Sequence, residues 1–129
     1  MLPLERFRLD GRTALVTGAS SGIGAALALA LAQSGATVIA AARRIDRLQA
    51  VVTDIVAAGG QAHAVELDVT DSESIRAAFD RAEQLADTVS ILINNAGVAE
   101  PSRFMSTDAA SRDKVMATNF EGVWDLTQE

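Results

Sequence analysis

Apolar residues follow two alternating patterns along this chain: short runs with little polar interruption, and longer segments where they recur every three or four positions. Residues 13–16, 37–42, 62–67 and 89–93 are of the first kind, as strands buried on both faces require. Residues 23–33 are of the second, with Ile23, Leu27, Ala30 and Leu31 at helical spacing. Residues 45–58 place Leu48, Val52, Ile55 and Val56 on one helical face, and a helix starting at Asp71-Ser72 does so with Ile75, Ala78, Phe79, Ala82 and Leu85. Ser34-Gly35 and Gly59-Gly60 stop the first two helices. After Gly97 a polar loop runs to about Thr107, and a last helix is expected from Asp108 to Glu129.

The resulting order, β-α-β-α-β-α-β, predicts one α/β domain over residues 1–129. Its sheet is expected to be parallel and doubly wound, with strand order 3-2-1-4. In that order residues 89–93 form a bare apolar edge, so the sheet is expected to be incomplete at the carboxyl end.

Composition narrows the partners. The chain has 129 residues, 49% of them hydrophobic and 22% charged, which suits a globular domain with a real core. A net charge of −6, with 11 scattered basic residues, argues against a nucleic-acid partner. Without cysteine, and with His63 as its one histidine, the chain offers no disulfide framework and no evident metal site. No apolar stretch approaches a membrane span, and Glu5, Arg6, Arg8 and Asp10 do not suit a signal peptide, so a cytoplasmic location and no membrane partner are expected.

The chemistry concentrates between the first strand and the first helix, in Thr17-Gly18-Ala19-Ser20-Ser21-Gly22-Ile23-Gly24. Gly18 permits a tight turn, Gly22 and Gly24 allow a diphosphate to approach and the helix to pack closely, and the free N–H groups of the first helical turn favour an anion. Ser20 or Ser21 is expected to cap that helix. Taken alone, the segment also reads as an ordinary Gly/Ser loop.

The second strand ends in Ala40-Ala41-Ala42 followed by Arg43-Arg44, with no acid to bond a ribose hydroxyl. Guanidinium groups there suit the 2′-phosphate of NADP(H), Arg43 being the better candidate, although two arginines also merely solvate a helix start. Asp46 is expected to cap that helix or pair with an arginine. Asp68, after the third strand, either accepts from an adenine amino group or caps the next helix, a role Asp71 and Ser72 already supply. Asn94-Asn95-Ala96-Gly97 ends the fourth strand at the same edge, as a ligand-lining loop or an ordinary turn.

Taken together and in order, Thr17-Gly18-x-x-x-Gly22-x-Gly24, Asp68-Val69, Asn94-Asn95-Ala96-Gly97 and Asn119 resemble the amino-terminal half of a classical short-chain dehydrogenase/reductase, a Rossmann-type fold. The resemblance implies that Gly18, Ser20, Ser21, Gly22, Ile23 and Gly24 hold the diphosphate and ribose of NADP(H), with Arg43 and Arg44 at the 2′-phosphate. It further implies Asp68 and Val69 at the adenine, and Asn95, Ala96 and Gly97 along the central pocket. Asn119 resembles the family's catalytic asparagine, whose helix is kinked so that its main-chain carbonyl holds a water of the proton relay.

The family's serine and Tyr-x-x-x-Lys have no counterpart here. The sequence has no tyrosine; Lys114, its sole lysine, precedes Asn119, and Ser102, Ser106 and Ser111 stand out of order. The complete enzyme is expected to interconvert a small-molecule alcohol and carbonyl, and the isolated chain to be inactive. A non-catalytic nucleotide-binding or interaction module is the alternative. Val115, Met116, Phe120, Val123 and Trp124 form a wider apolar surface than one sheet face requires. Core packing explains it from the residues alone, whereas the resemblance implies a homo-oligomer interface.

Overall fold

Strand β1 (Thr13–Thr17) lies at the centre of the computed structural model, which describes residues 3–129, and all five of its residues are buried. It pairs in parallel with β2 (Thr37–Ala42) on one side and β4 (Val89–Ile93) on the other, and β3 (Gln61–Glu66) pairs with the far side of β2. The order β3-β2-β1-β4 is the expected one. Each crossover contains a helix: α1 (Gly22–Gln33), α2 (Ile45–Ala57) and α3 (Ser72–Leu85).

Strand alternation divides the core between two faces. Leu15, Ile39, Ala41 and Val65 turn to the face covered by Ile75, Ala78 and Ala82 of α3, with Leu67 and Leu126 beside them. Val16, Val38, Ala40 and Ala62 turn to the other face, against Ala28 and Ala32 of α1 and Leu48 and Ile55 of α2. Full burial of Leu48 and Ile55 contributes about 1.5–3 kcal/mol each and holds α2 on the sheet. The alanines of β2 and α1 have a complementary effect, since small side chains let helix and sheet approach closely.

The helix starts depart from expectation in two places. Ser21 is the residue before α1, but its side chain makes no capping bond, and none is recorded for Ser20. Ser21 is fully extended (φ −165°, ψ 170°) and Gly22 follows at φ +56°, so the first-turn N–H groups do not line up with the seryl hydroxyl. Arg44, not Asp46, precedes α2; Asp46 lies inside the first turn, past the capping position, and makes no ion pair among the described residues. Asp71 does cap α3, accepting from Glu73 N–H at 2.9 Å and Ser74 N–H at 3.4 Å.

The last helix is not uniform. It runs as α4 (Ala109–Met116), a π-helical turn (Ala117–Glu121) and α5 (Gly122–Gln128), and within the turn Gly122 N–H donates to the Ala117 carbonyl five residues back. Short 3-10 turns at Pro3–Phe7 and Phe104–Ser106 had no expected counterpart. Gly122 is required where α5 meets the sheet edge, because a Cβ there would lie 2.7 Å from the Val69 carbonyl oxygen. Core packing does not account for the wide apolar stripe of this helix: Met116, Phe120 and Trp124 are exposed at 46%, 59% and 60%. Only Gly122 and Leu126 of α5 are buried.

Candidate functional site

The carboxyl ends of β1 and β4 are fastened together by side chains, and this fixes the floor of the site. The buried Thr17 hydroxyl accepts the N–H groups of Asn95 (3.0 Å) and Ala96 (2.9 Å) and donates to the Ile93 carbonyl (3.3 Å). The Asn95 amide donates to the carbonyls of Thr17 (3.1 Å) and Gly18 (3.2 Å). Gly18 makes this junction possible, at φ +63° and with Asn95 and Ala96 packed where a side chain would begin. Gly24 serves it from below: a Cβ there would overlap the Gly18 carbonyl oxygen and stand 2.5 Å from Asn95 Nδ2.

Above this junction opens a cavity of about 690 Å³, within the usual range of ligand sites. Gly18, Ser20, Ser21 and Ile23 form its wall at the start of α1, where the first N–H groups of the helix have no carbonyl behind them. Arg43 and Arg44 line it after β2, Asp68 and Val69 after β3, and Asn95 and Gly97 after β4. Four residues of the sequence-based set lie off this wall. Gly22 is exposed beside it, Gly24 is buried beneath it, and Ala96 uses its N–H on Thr17. Asn119 is the fourth: its side chain accepts from Val98 N–H and donates to the Val98 carbonyl, both at 2.8 Å. This paired amide contact fastens the loop after β4 to the π turn.

Asp68 does not cap α3. Its Oδ1 accepts from the Thr70 hydroxyl (2.7 Å) and the Thr70 N–H (2.9 Å), and its own N–H donates to Ser74 Oγ. The two bonds from Thr70 hold its carboxyl below the usual carboxylate range, the positive charge of Arg43 adds to this, and partial desolvation opposes it. The site is therefore cationic after β2 and anionic after β3. A group that accepts and donates at its two ends is matched by that order.

Ala42, Leu67, Thr70, Val98, Lys114, Ala117 and Thr118 also line the cavity but were not assigned to the site from the sequence. Thr70 and Val98 directly follow motif residues and were within reach of that reading. Lys114, Ala117 and Thr118 stand on a helix whose period changes at the π turn, so no regular spacing marks them.

The chain matches the family model for short chain dehydrogenase over residues 12–129. It belongs to the short-chain dehydrogenase/reductase family. A 3-oxoacyl-acyl-carrier-protein reductase of Aquifex aeolicus is 37% identical over 122 residues, 94% of this chain and 49% of that protein. The crystal structure of a short-chain type dehydrogenase/reductase from Mycobacterium marinum superposes with a TM-score of 0.95 at 36% identity, covering 99% of this chain and 52% of that one. A gluconate 5-dehydrogenase from Burkholderia cenocepacia, solved with NADP and tartrate, gives a TM-score of 0.90 at 34% identity, covering 97% of this chain and 49% of that one. The chain thus spans about half the length of the short-chain dehydrogenase/reductase relatives it matches. Among the described residues of this family member no helix is long and apolar enough to cross a membrane.

Proposed function

We propose that residues 1–129 form an NADP(H)-binding domain of an oxidoreductase that interconverts an alcohol and a carbonyl. One observation carries the choice of cofactor: Arg43 and Arg44 line the cavity directly after β2, where an NAD-selective site would place an acid. The NADP held by the Burkholderia gluconate 5-dehydrogenase supports the same reading. The residues fit the group. Uncapped N–H groups at the start of α1, open space beside Gly22 and unengaged seryl side chains suit a diphosphate, and Asp68 keeps an oxygen beyond its Thr70 bonds for an adenine amino group.

The nicotinamide supplies hydride transfer when bound. In this reading Gly18, Ser20, Ser21, Gly22, Ile23 and Gly24 form or support the diphosphate wall, and Arg43, with Arg44 beside it, holds the 2′-phosphate. Val69 packs at the adenine, and Asn95, Ala96 and Gly97 shape the centre of the cavity. Asn119 anchors the Val98 loop through its side chain and lies in the π turn, and its main-chain carbonyl is the group this reading gives to the proton relay. The chain contains no tyrosine, and its one lysine is paired with Glu100, so it holds no counterpart of the family's Tyr-x-x-x-Lys acid–base pair. The 129 residues are expected to bind cofactor without turning over a substrate. The exposed apolar side chains of Met116, Phe120 and Trp124 support a homo-oligomer of the complete enzyme.

The test is a titration of NADPH and NADH into the purified chain, followed by nucleotide emission, together with Arg43→Gln. NADPH is expected to bind more tightly, and the substitution to weaken NADPH by about tenfold, the scale of one charge-assisted pair, while sparing NADH. Preference for NADH in the unsubstituted chain would refute the cofactor assignment.

A further inference from the structure

The cavity holds a third cation, Lys114, which the reading above leaves without a role toward the nucleotide. Lys114 lines the cavity from α4 with Ala117 and Thr118, and its ammonium pairs with the carboxylate of Glu100 in the loop after β4. Glu100 itself is not on the cavity wall, so the lysine carries its counter-ion from outside the lining. The Lys114 ammonium, and to a smaller degree the Ser111 hydroxyl, hold the Glu100 carboxyl below the usual carboxylate range.

Topology decides how these charges are arranged. Since β2 and β4 flank β1, Arg43 and Arg44 reach the cavity from the β2 side and Lys114 from the β4 side, with the glycine turn after β1 between them. Among the described residues neither Arg43 nor Arg44 is in an ion pair, whereas Lys114 is neutralised by Glu100. An anion on the glycine turn therefore meets two arginines outside any ion pair on one flank, with Asp68 the acid nearest Arg43, and a balanced pair on the other.

We propose that the Lys114–Glu100 pair is a charge regulator of nucleotide affinity, with Lys114 a positioning residue whose pull on the bound polyanion is set by Glu100. The inference rests on the nucleotide reading above and extends it to residues on the opposite flank. Removing Glu100 frees a cation toward the cavity, and removing Lys114 exposes an acid toward it. A purely mechanical role makes a different forecast. If the pair only tethers the loop after β4, losing either partner loosens the loop and both losses weaken binding.

The test compares NADPH affinity of the unsubstituted chain with Lys114→Gln, Glu100→Gln and the double variant, at low and high salt. The pair is exposed and makes little difference to folding, so all forms are expected to fold, which the near-ultraviolet dichroism of Trp124 checks. Lys114→Gln is expected to weaken NADPH about threefold and Glu100→Gln to tighten it about threefold, as for one partly screened unit charge. The double variant should return close to the starting affinity, and every difference should shrink at about 0.5 M salt. Weakening by both single variants, or no change in either while the unsubstituted chain binds NADPH, would overturn the inference alone. Failure of the unsubstituted chain to bind NADPH would overturn the nucleotide reading and this inference with it.

Discussion

Replacing Thr17 by Val tests whether the site is built by the junction between β1 and β4. The two side chains are nearly the same size, so the buried position keeps its packing and loses only a hydroxyl. That hydroxyl accepts two N–H groups, of Asn95 and Ala96, and bonds the Ile93 carbonyl. Each N–H stripped of its acceptor costs about 1–3 kcal/mol when buried; both are only part-buried here, so the lower half of the range applies and the total is about 2–4 kcal/mol. With a urea slope of about 1–2 kcal/mol per molar, the unfolding midpoint should fall by about 1–4 M. NADPH affinity should fall as well, because Asn95 and Gly97 line the cavity from the same loop. Thr17→Ser, which restores the hydroxyl, should recover both to within about 1 kcal/mol. A Thr17→Val midpoint within experimental error of the parent would refute the assignment of Thr17 as the fastener.

Two further outcomes follow from the helix cap and the acid of the site. Asp71→Ala removes the acceptor of the Glu73 and Ser74 N–H groups and should cost about 1 kcal/mol in urea unfolding; a neutral effect would mean that water replaces the cap at no loss. Asp68 titrates below its unfolded value because of Thr70 and then Arg43, so its contribution is complete above the unfolded carboxylate pKa of about 3.9 and is lost as pH falls through the folded one. The stability gap between the parent and Asp68→Asn should therefore be constant from neutral pH to about 5 and close below about 4. A gap unchanged down to pH 3 would show that the carboxylate charge is irrelevant.

What the sequence reveals and what it conceals divide along physical lines. All four strands and their order were legible because buried parallel strands must be nearly continuous apolar runs, and their crossovers must be long. The places of Gly18, Arg43 and Arg44 on the cavity wall were legible because Gly18 and Arg43 directly follow strands and Arg44 is next in the chain, at the edge where ligands bind. The fastening role of Thr17 was not, although Thr17 opens the glycine motif, since a threonine at a strand end looks like any β-branched residue and its partners lie 78 and 79 positions away. Ser21 misled for the opposite reason: its type suits a cap, but the left-handed Gly22 turns the helix start away from it. The stripe holding Phe120 and Trp124 was legible as wider than one sheet face requires, but its choice between core packing and exposure was not, because periodicity counts apolar positions without saying what they face.

The π turn at Ala117–Glu121 makes the last helix a phase shifter. One extra residue in a helix turns everything downstream by about 100° relative to an uninterrupted α-helix. Here the shift brings Gly122 against Val69 and Leu126 into the core, while Lys114 of α4 and Thr118 at the start of the π turn stay on the cavity wall. A single-residue deletion within the turn at a position other than Asn119 would keep every recognised motif residue along the chain. It would nevertheless swing either the core face or the cavity face of the helix out of place, so the number of residues between Lys114 and Leu126 matters as much as their identities.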